Sequence, residues 1–170
     1  MSAGNFDRAL AEILRHEGGW VHDKRDPGGE TNYGITRTTA RAHGYRGSMR
    51  TIPMSLVERI YRRSYWAAVR GDDLPTGVDL AVFDFAVNSG PHRSAEFLQR
   101  AIGVDDDGRI GPITLRAVAA ADPANVIRAI CGDRLEWLRT LKTWRHYGRG
   151  WTTRVQSVER IGVQWIGAEQ

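Results

Sequence analysis

Residues 17–36 read EGGWVHDKRDPGGETNYGIT, and this stretch decides what kind of fold the chain has. Upstream, Phe6, Leu10, Ile13 and Leu14 recur at helical spacing, which predicts an amphipathic helix over residues 5–17. Gly18 and Gly19 are expected to stop it, since glycine just past the last turn is a common helix terminator. Residues 20–36 lose the helical period and place Trp20, Val21, Tyr33 and Ile35 around the turn Asp26-Pro27-Gly28-Gly29. That pattern predicts a small irregular β-hairpin, with Gly28, Gly29 and Gly34 serving unusual backbone angles. Thr36 then caps a short helix to about Ala42. A carboxylate at the last turn of a rigid helix, facing a polar hairpin, is one arrangement that suits acid catalysis on a glycosidic bond.

The rest of the chain reads as helices. Ser55-Leu56-Val57-Glu58 has the form of a capping box and predicts a helix to about Val69. Residues 77–89 are nearly all apolar, as expected of a buried central helix, and Gly90-Pro91 stops them. Further helices are expected over residues 93–102, from Pro112, from Asp122-Pro123 and after Gly150, with a loop at Asp105–Gly108. The fold class is therefore mainly α (α+β): a helical domain with a small β-hairpin. No linker divides it. We expect one domain over residues 1–170, with a motif-bearing part at 1–90 and a helical part at 91–170 integral to it.

Composition excludes several classes. The chain has 170 residues, is 41% hydrophobic and 26% charged, and has length enough for a proper core. Its net charge is +4, and all 24 basic residues except Lys24 and Lys142 are arginine. A basic balance suits an anionic polymer without choosing one. No basic recognition helix is evident, so nucleic acid is not expected as a partner. One cysteine, Cys131, rules out an intramolecular disulfide and reads as a small buried hydrophobe. The N-terminus lacks the pattern of a signal peptide, and no apolar run approaches the ~20 residues of a membrane span. The chain is expected to be made in the cytoplasm, without membrane insertion, and to act as a monomer. The acidic run Asp105-Asp106-Asp107 lacks the alternation and the closing Glu of an EF-hand. The histidines show no HExxH pairing, so neither metal nor cofactor is expected.

Two groups of residues carry candidate chemistry. Glu17 sits at the negative end of the first helix, an electrostatically poor place for an anion and a useful one for a proton donor. Asp26, Thr31, Asn32 and Tyr33 offer a second carboxylate, hydroxyls and an amide from the hairpin, although Asp before Pro-Gly is also ordinary turn chemistry. Asp84 and Asn88 are four apart on the central helix and share a face. They are either a satisfied core network or part of a cleft wall opposite Glu17. Trp137, Trp144 and Trp151 recur every seven residues and suit a helix seam, or sugar stacking where exposed.

The Glu17–Trp20 and Asp26–Thr36 motifs closely resemble the N-terminal signature of the glycoside hydrolase family 108 N-acetylmuramidases, which are endolysin-like proteins also described as putative secretion activators. The segments FDFAVNSG (83–90), LQRA (98–101) and DGRIGPIT (107–114) are similar to the peptidoglycan-binding region that accompanies them, and GRGWTTRV (148–155) also resembles the family. The resemblance covers nearly the whole chain. It implies a lysozyme-like fold and cleavage of the β-1,4 bond between N-acetylmuramic acid and N-acetylglucosamine in peptidoglycan. Glu17 would be the catalytic acid, with Asp26 and Thr31 supporting it and Trp20, Asn32, Tyr33, Asp84 and Asn88 binding substrate. The protein would act at the cell wall or periplasm, released by a partner such as a holin. Two alternatives stay open: a catalytically inactive peptidoglycan-binding or secretion-accessory protein, and a lytic transglycosylase.

Overall fold

The apolar run forms the helix around which the others pack, because a helix without a polar face can satisfy its surface only inside the molecule. In chain order, the computed structural model comprises α1 (Asn5–His16), β1 (Val21–His22), β2 (Glu30–Asn32), β3 (Ile35–Thr36), α2 (Arg37–Ala42), α3 (Met54–Tyr61), α4 (Val78–Ser89), α5 (Pro91–Ala101), α6 (Pro112–Ala120), α7 (Pro123–Arg139) and α8 (Trp144–Ala168). The structure describes residues 4–22 and 29–168. The fold is mainly α with a small antiparallel sheet, as the sequence predicts. α4 touches α1, α5, α7 and α8, so it meets both the motif-bearing part and the C-terminal helices. None of the helices among the described residues is long and apolar enough to cross a membrane.

Three features lock this helix in place. Asp79, in its first turn, accepts from the backbone N–H groups of Gly77 and Leu80 and from Asn5 Nδ2 at 2.9 Å, which ties the starts of α1 and α4 together. Gly77 has a left-handed φ of 84°, and a Cβ there would lie 2.3 Å from the carbonyl oxygen of Gly162. α8 therefore crosses the start of α4 at backbone contact. Phe83 completes the lock within an aromatic cluster, 5.2 Å from Trp66 and 5.9 Å from Phe6 between ring centroids.

The sheet has the order β1-β2-β3, one strand more than a hairpin. Val21 pairs with Thr31, and Thr31 with Thr36. The turn Asp26-Pro27-Gly28 between β1 and β2 lies outside the described residues. Between β2 and β3 the turn is Tyr33-Gly34, with φ of 51° and 74°. Two successive positive φ values mark the primed two-residue turn whose twist matches antiparallel strands. Gly34 and Gly29 (φ 71°) thus take the unusual angles expected of them.

Local expectations hold at two caps and fail at three other places. Thr36 accepts from the Thr39 N–H and Asp122 from the Asn125 N–H, as expected. The capping box at Ser55 does not form: α3 starts one residue before it, at Met54, because Pro53 takes the N-cap position. Nor does α3 run regularly to Val69. It becomes a π-helix over Arg62–Trp66, which seats the Trp66 ring where a Cβ on Gly71 would meet it at 2.4 Å. The last helix begins at Trp144, seven residues before its expected start at Trp151, with Gly148 and Gly150 inside it. The Trp144 ring lies over Gly148, 2.6 Å from where a Cβ would be. Packing overrides glycine's low helix propensity there.

These close approaches make two glycines respond oppositely to the same change. Gly77→Ala is expected to destabilise the fold by at least about 2 kcal/mol, since it combines a disfavoured φ with a backbone clash. Gly132→Ala, in mid-α7 with open space around its Cα, is expected to stabilise it by about 0.5–1 kcal/mol. Urea denaturation midpoints at unchanged slope measure both.

Candidate active site

α1 ends because Glu17 itself turns extended, with φ −82° and ψ 142°, while its N–H still bonds to the Ile13 carbonyl at 3.1 Å. Gly18 and Gly19 follow the helix end as expected, without a left-handed turn, since neither has a positive φ. What they provide is room, since nothing lies within 4 Å of a Cβ at either position. The Glu17 side chain keeps 20% of its surface exposed.

One oxygen of that carboxylate is tied to the far end of the chain. Arg154 on α8 donates from Nη1 to Glu17 Oε1 at 3.0 Å. The same guanidinium donates from Nε to Asp84 Oδ1 at 2.9 Å, and Arg134 on α7 donates to Asp84 Oδ2 at 2.7 Å. Arg154 Nη2 also lies 2.9 Å from Asp84 Oδ1, in ion-pair contact but out of hydrogen-bonding line. Asp84 is wholly buried and Arg134 is 1% exposed. Two carboxylates and two guanidiniums thus alternate from the core out to Glu17. Burial alone would raise Asp84's pKa, but the charges of Arg134 and Arg154 outweigh it and hold the carboxyl below its ordinary 3.8. Burial also opposes the charge on Arg154, and there Asp84 and Glu17 outweigh it, so its pKa is raised. The negative helix end expected to act on Glu17 is answered by this guanidinium.

The other oxygen faces the sheet. A Cβ on Gly34 would lie 2.7 Å from Glu17 Oε2 and 2.7 Å from the Tyr61 hydroxyl, so only glycine lets the turn approach both. Tyr61 donates to the Tyr33 carbonyl at 2.8 Å and holds that residue in its left-handed conformation. Burial, with the Glu17 charge next, raises the pKa of Tyr61 and, to a smaller extent, that of Tyr65. Both phenols remain neutral donors near neutral pH. The rings of Tyr61 and Tyr65 lie 5.7 Å apart, beside the π-helix.

The structure brings some of the expected residues together and disperses others. Glu17 and the β2–β3 turn with Tyr33 meet, and Thr31 lies half-buried in the middle strand. Asp26 lies outside the described residues. Trp20 is half-buried, with its indole N–H on Glu30 at 3.2 Å and Arg50 stacked 3.8 Å from its ring. Asn32 is buried and donates to the Met49 carbonyl at 2.8 Å, strapping the sheet to the following loop. Asp84 is not part of a cleft wall: both its oxygens are spent on arginines beneath the site. Asn88 is exposed at the end of α4 and bonds to Ser89. The sheet's own carboxylate, Glu30, went unread in the sequence. Arg37 hydrogen bonds to it and holds its pKa low, together with Trp20.

Arg154 and Arg134 also escaped sequence reasoning, although a signal existed. Arg154 shares a helix face with Val158 and Ile161, and Arg134 with Ile127, Cys131 and Leu138. A cation on an apolar stripe requires a buried anion, and Asp84 is the anion in the most apolar helix. Cys131 is buried as expected, and burial pushes its thiol up to about 12. Among the described residues, no cluster of three or more His, Cys, Asp or Glu side chains could hold a metal ion.

Residues 10–90 match the model of glycosyl hydrolase 108, and residues 93–156 match that of a predicted peptidoglycan domain. The chain is similar to a solved structure of Brucella abortus SagA, at 42% identity over 95% of each chain and a TM-score of 0.84. The chain belongs to the glycosyl hydrolase 108 family. A search of curated proteins found no match. The family assignment and the second region give the protein a peptidoglycan-related function. Glu17 falls in the first matched region and Arg134 and Arg154 in the second, so the ion network joins the two.

Asp84→Asn should leave two buried guanidiniums without a full counter-charge and cost about 3–5 kcal/mol. That corresponds to a Tm lower by roughly 10 °C at pH 7, read by calorimetry. Because the folded-state pKa of Asp84 is depressed, its contribution is present above about pH 4 and is lost as pH falls further. The Tm gap between variant and wild type should therefore narrow in acid.

Proposed function

We propose that this protein is an N-acetylmuramidase that hydrolyses the β-1,4 bond between N-acetylmuramic acid and N-acetylglucosamine, with Glu17 as the proton donor. The observation that carries the reading is the setting of Glu17: a partly exposed carboxylate at the end of a packed helix, with Oε1 on Arg154 and Oε2 at the Gly34 turn. In this mechanism Glu17 passes its proton to the glycosidic oxygen. Arg154 receives the resulting carboxylate as an ion, a charge stabilisation strongest once the proton has left. Tyr61, neutral and fixed on the Tyr33 carbonyl, holds the turn against the acid. Asp26 stabilises the positive charge at the anomeric carbon or orients water, and Thr31 holds that water. Trp20, Tyr33 and Asn88 line the strand's path. The two matched regions work as one body, a reading supported by α4 packing against both and by the Asp84 network.

A second reading has its own support. The Glu17–Arg154 ion pair would also serve a non-catalytic wall-binding protein, in which the carboxylate is a structural anion. A third, lytic transglycosylase chemistry, uses a single acid as well and differs in its product.

Mass spectrometry of muropeptides released from purified peptidoglycan separates all three. Hydrolysis by the wild type should yield reducing-end muramic acid; anhydro-muramic ends would mean a transglycosylase. Glu17→Gln is expected to lower the rate by about a hundredfold or more, and a variant as fast as the wild type would sink the assignment. Asp26→Ala should also lose most activity. Full activity in that variant would return Asp26 to turn chemistry.

A further inference from the structure

The start of α8 carries an aromatic and basic surface that the site above does not use. Tyr147 is 58% exposed and packs over Trp151 at 5.6 Å, and Trp151 in turn packs against Trp144 at 6.2 Å. Round the helix from Tyr147, past Trp144, runs a groove lined by Trp144, Arg145, Gly148, Arg149, Thr152 and Thr153. The hydroxyls of both threonines are bonded back to their own helix, onto Gly148 and Arg149, so the polar face of the groove is arginine. No acidic residue occurs between Trp137 and Val158, whereas Arg139, Lys142, Arg145, Arg149 and Arg154 all do.

The position of this surface relates it to the candidate acid. Tyr147, Trp151 and Arg154 stand four and seven residues along one helix, hence on one face. Arg154 is the residue that holds Glu17. The aromatic stripe therefore starts at the candidate acid and runs about 10 Å away along α8, at 1.5 Å per residue. A polymer with its scissile bond at Glu17 can continue along the stripe.

We propose that Tyr147, backed by Trp151 and Trp144, is a second contact for the peptidoglycan strand, beyond the bond at Glu17. This rests on the reading of the substrate as peptidoglycan. The C–H faces of the N-acetyl sugars stack on the Tyr147 ring, and the excess of basic residues at this end of α8 draws the carboxylates of the stem peptides towards it. The stack gives the sugar face a rigid platform at little entropic cost, because Trp144 and Trp151 are already packed against the core.

The test measures binding without turnover. Full-length Glu17→Gln protein is sedimented with nuclease-treated sacculi at fixed salt, alone and carrying Tyr147→Ala or Tyr147→Phe. Tyr147→Ala should weaken binding roughly tenfold, the loss of one good stacking contact. Tyr147→Phe should retain it. Soluble N-acetylglucosamine oligomers should compete, and duplex DNA should not. Unchanged binding by Tyr147→Ala overturns the proposal. So does displacement by DNA with no competition from the oligosaccharide, which would make this a general polyanion surface. An inactive wild type with Tyr147-dependent binding would remove the muramidase assignment and leave this surface standing. An active wild type with Tyr147-independent binding would do the reverse.

Discussion

Asp84 draws one arginine from α7 and another from α8 into the interior, and the second of these reaches on to Glu17. Each member costs free energy to bury alone, so none can be placed without the others. The aspartate sits on α4, the helix against which α1, α7 and α8 all pack, so the charges are aligned by the same contacts that build the core. Glu17 is the member of this network with the largest exposed side-chain surface. That makes the position of Glu17 a property of the whole helical body rather than of the loop that follows it.

The sheet meets this arrangement from the other side. The turn Tyr33-Gly34 is short, twisted and backbone-strained at Tyr33, and it persists because Tyr61 holds the Tyr33 carbonyl while Gly34 leaves room for the carboxylate. Trp20, Glu30, Arg37 and Arg50 form a separate polar and aromatic seam that stiffens the sheet. Two packed parts therefore confront each other across Glu17 and fix the position of its carboxylate.

Much of this body was legible in the sequence where a local pattern and the tertiary packing agree. The apolar run of α4 could be only a central helix, and Asp122-Pro123 and Thr36 start helices by chemistry that needs no partner. Glu17 at a helix end was legible for the same reason. Where packing outweighed the local pattern, the reading failed. Pro53 displaced the Ser55 cap, and the Trp144 ring packed over Gly148 carries the last helix straight through Gly150, its expected boundary. The Asp84 network depends on residues 50 and 70 apart, which no periodicity connects. Only the misfit of arginine on an apolar stripe marked it. Asp84 and Asn88 illustrate the difference: they share a helix face, yet one is sealed in the core and the other lies in solvent.

The bond from Arg154 to Glu17 spans 137 positions of the chain. Synthesis runs from Glu17 towards Arg154, so a growing chain carries the whole N-terminal motif long before its ion partner exists. Closing so large a loop costs entropy, which the packing of α8 on α7 and α4 offsets. Assembly of the site is thus a late event in the protein's life. The carboxylate gains its fixed position only when α8 is in place, so completing the fold and placing Glu17 are one event.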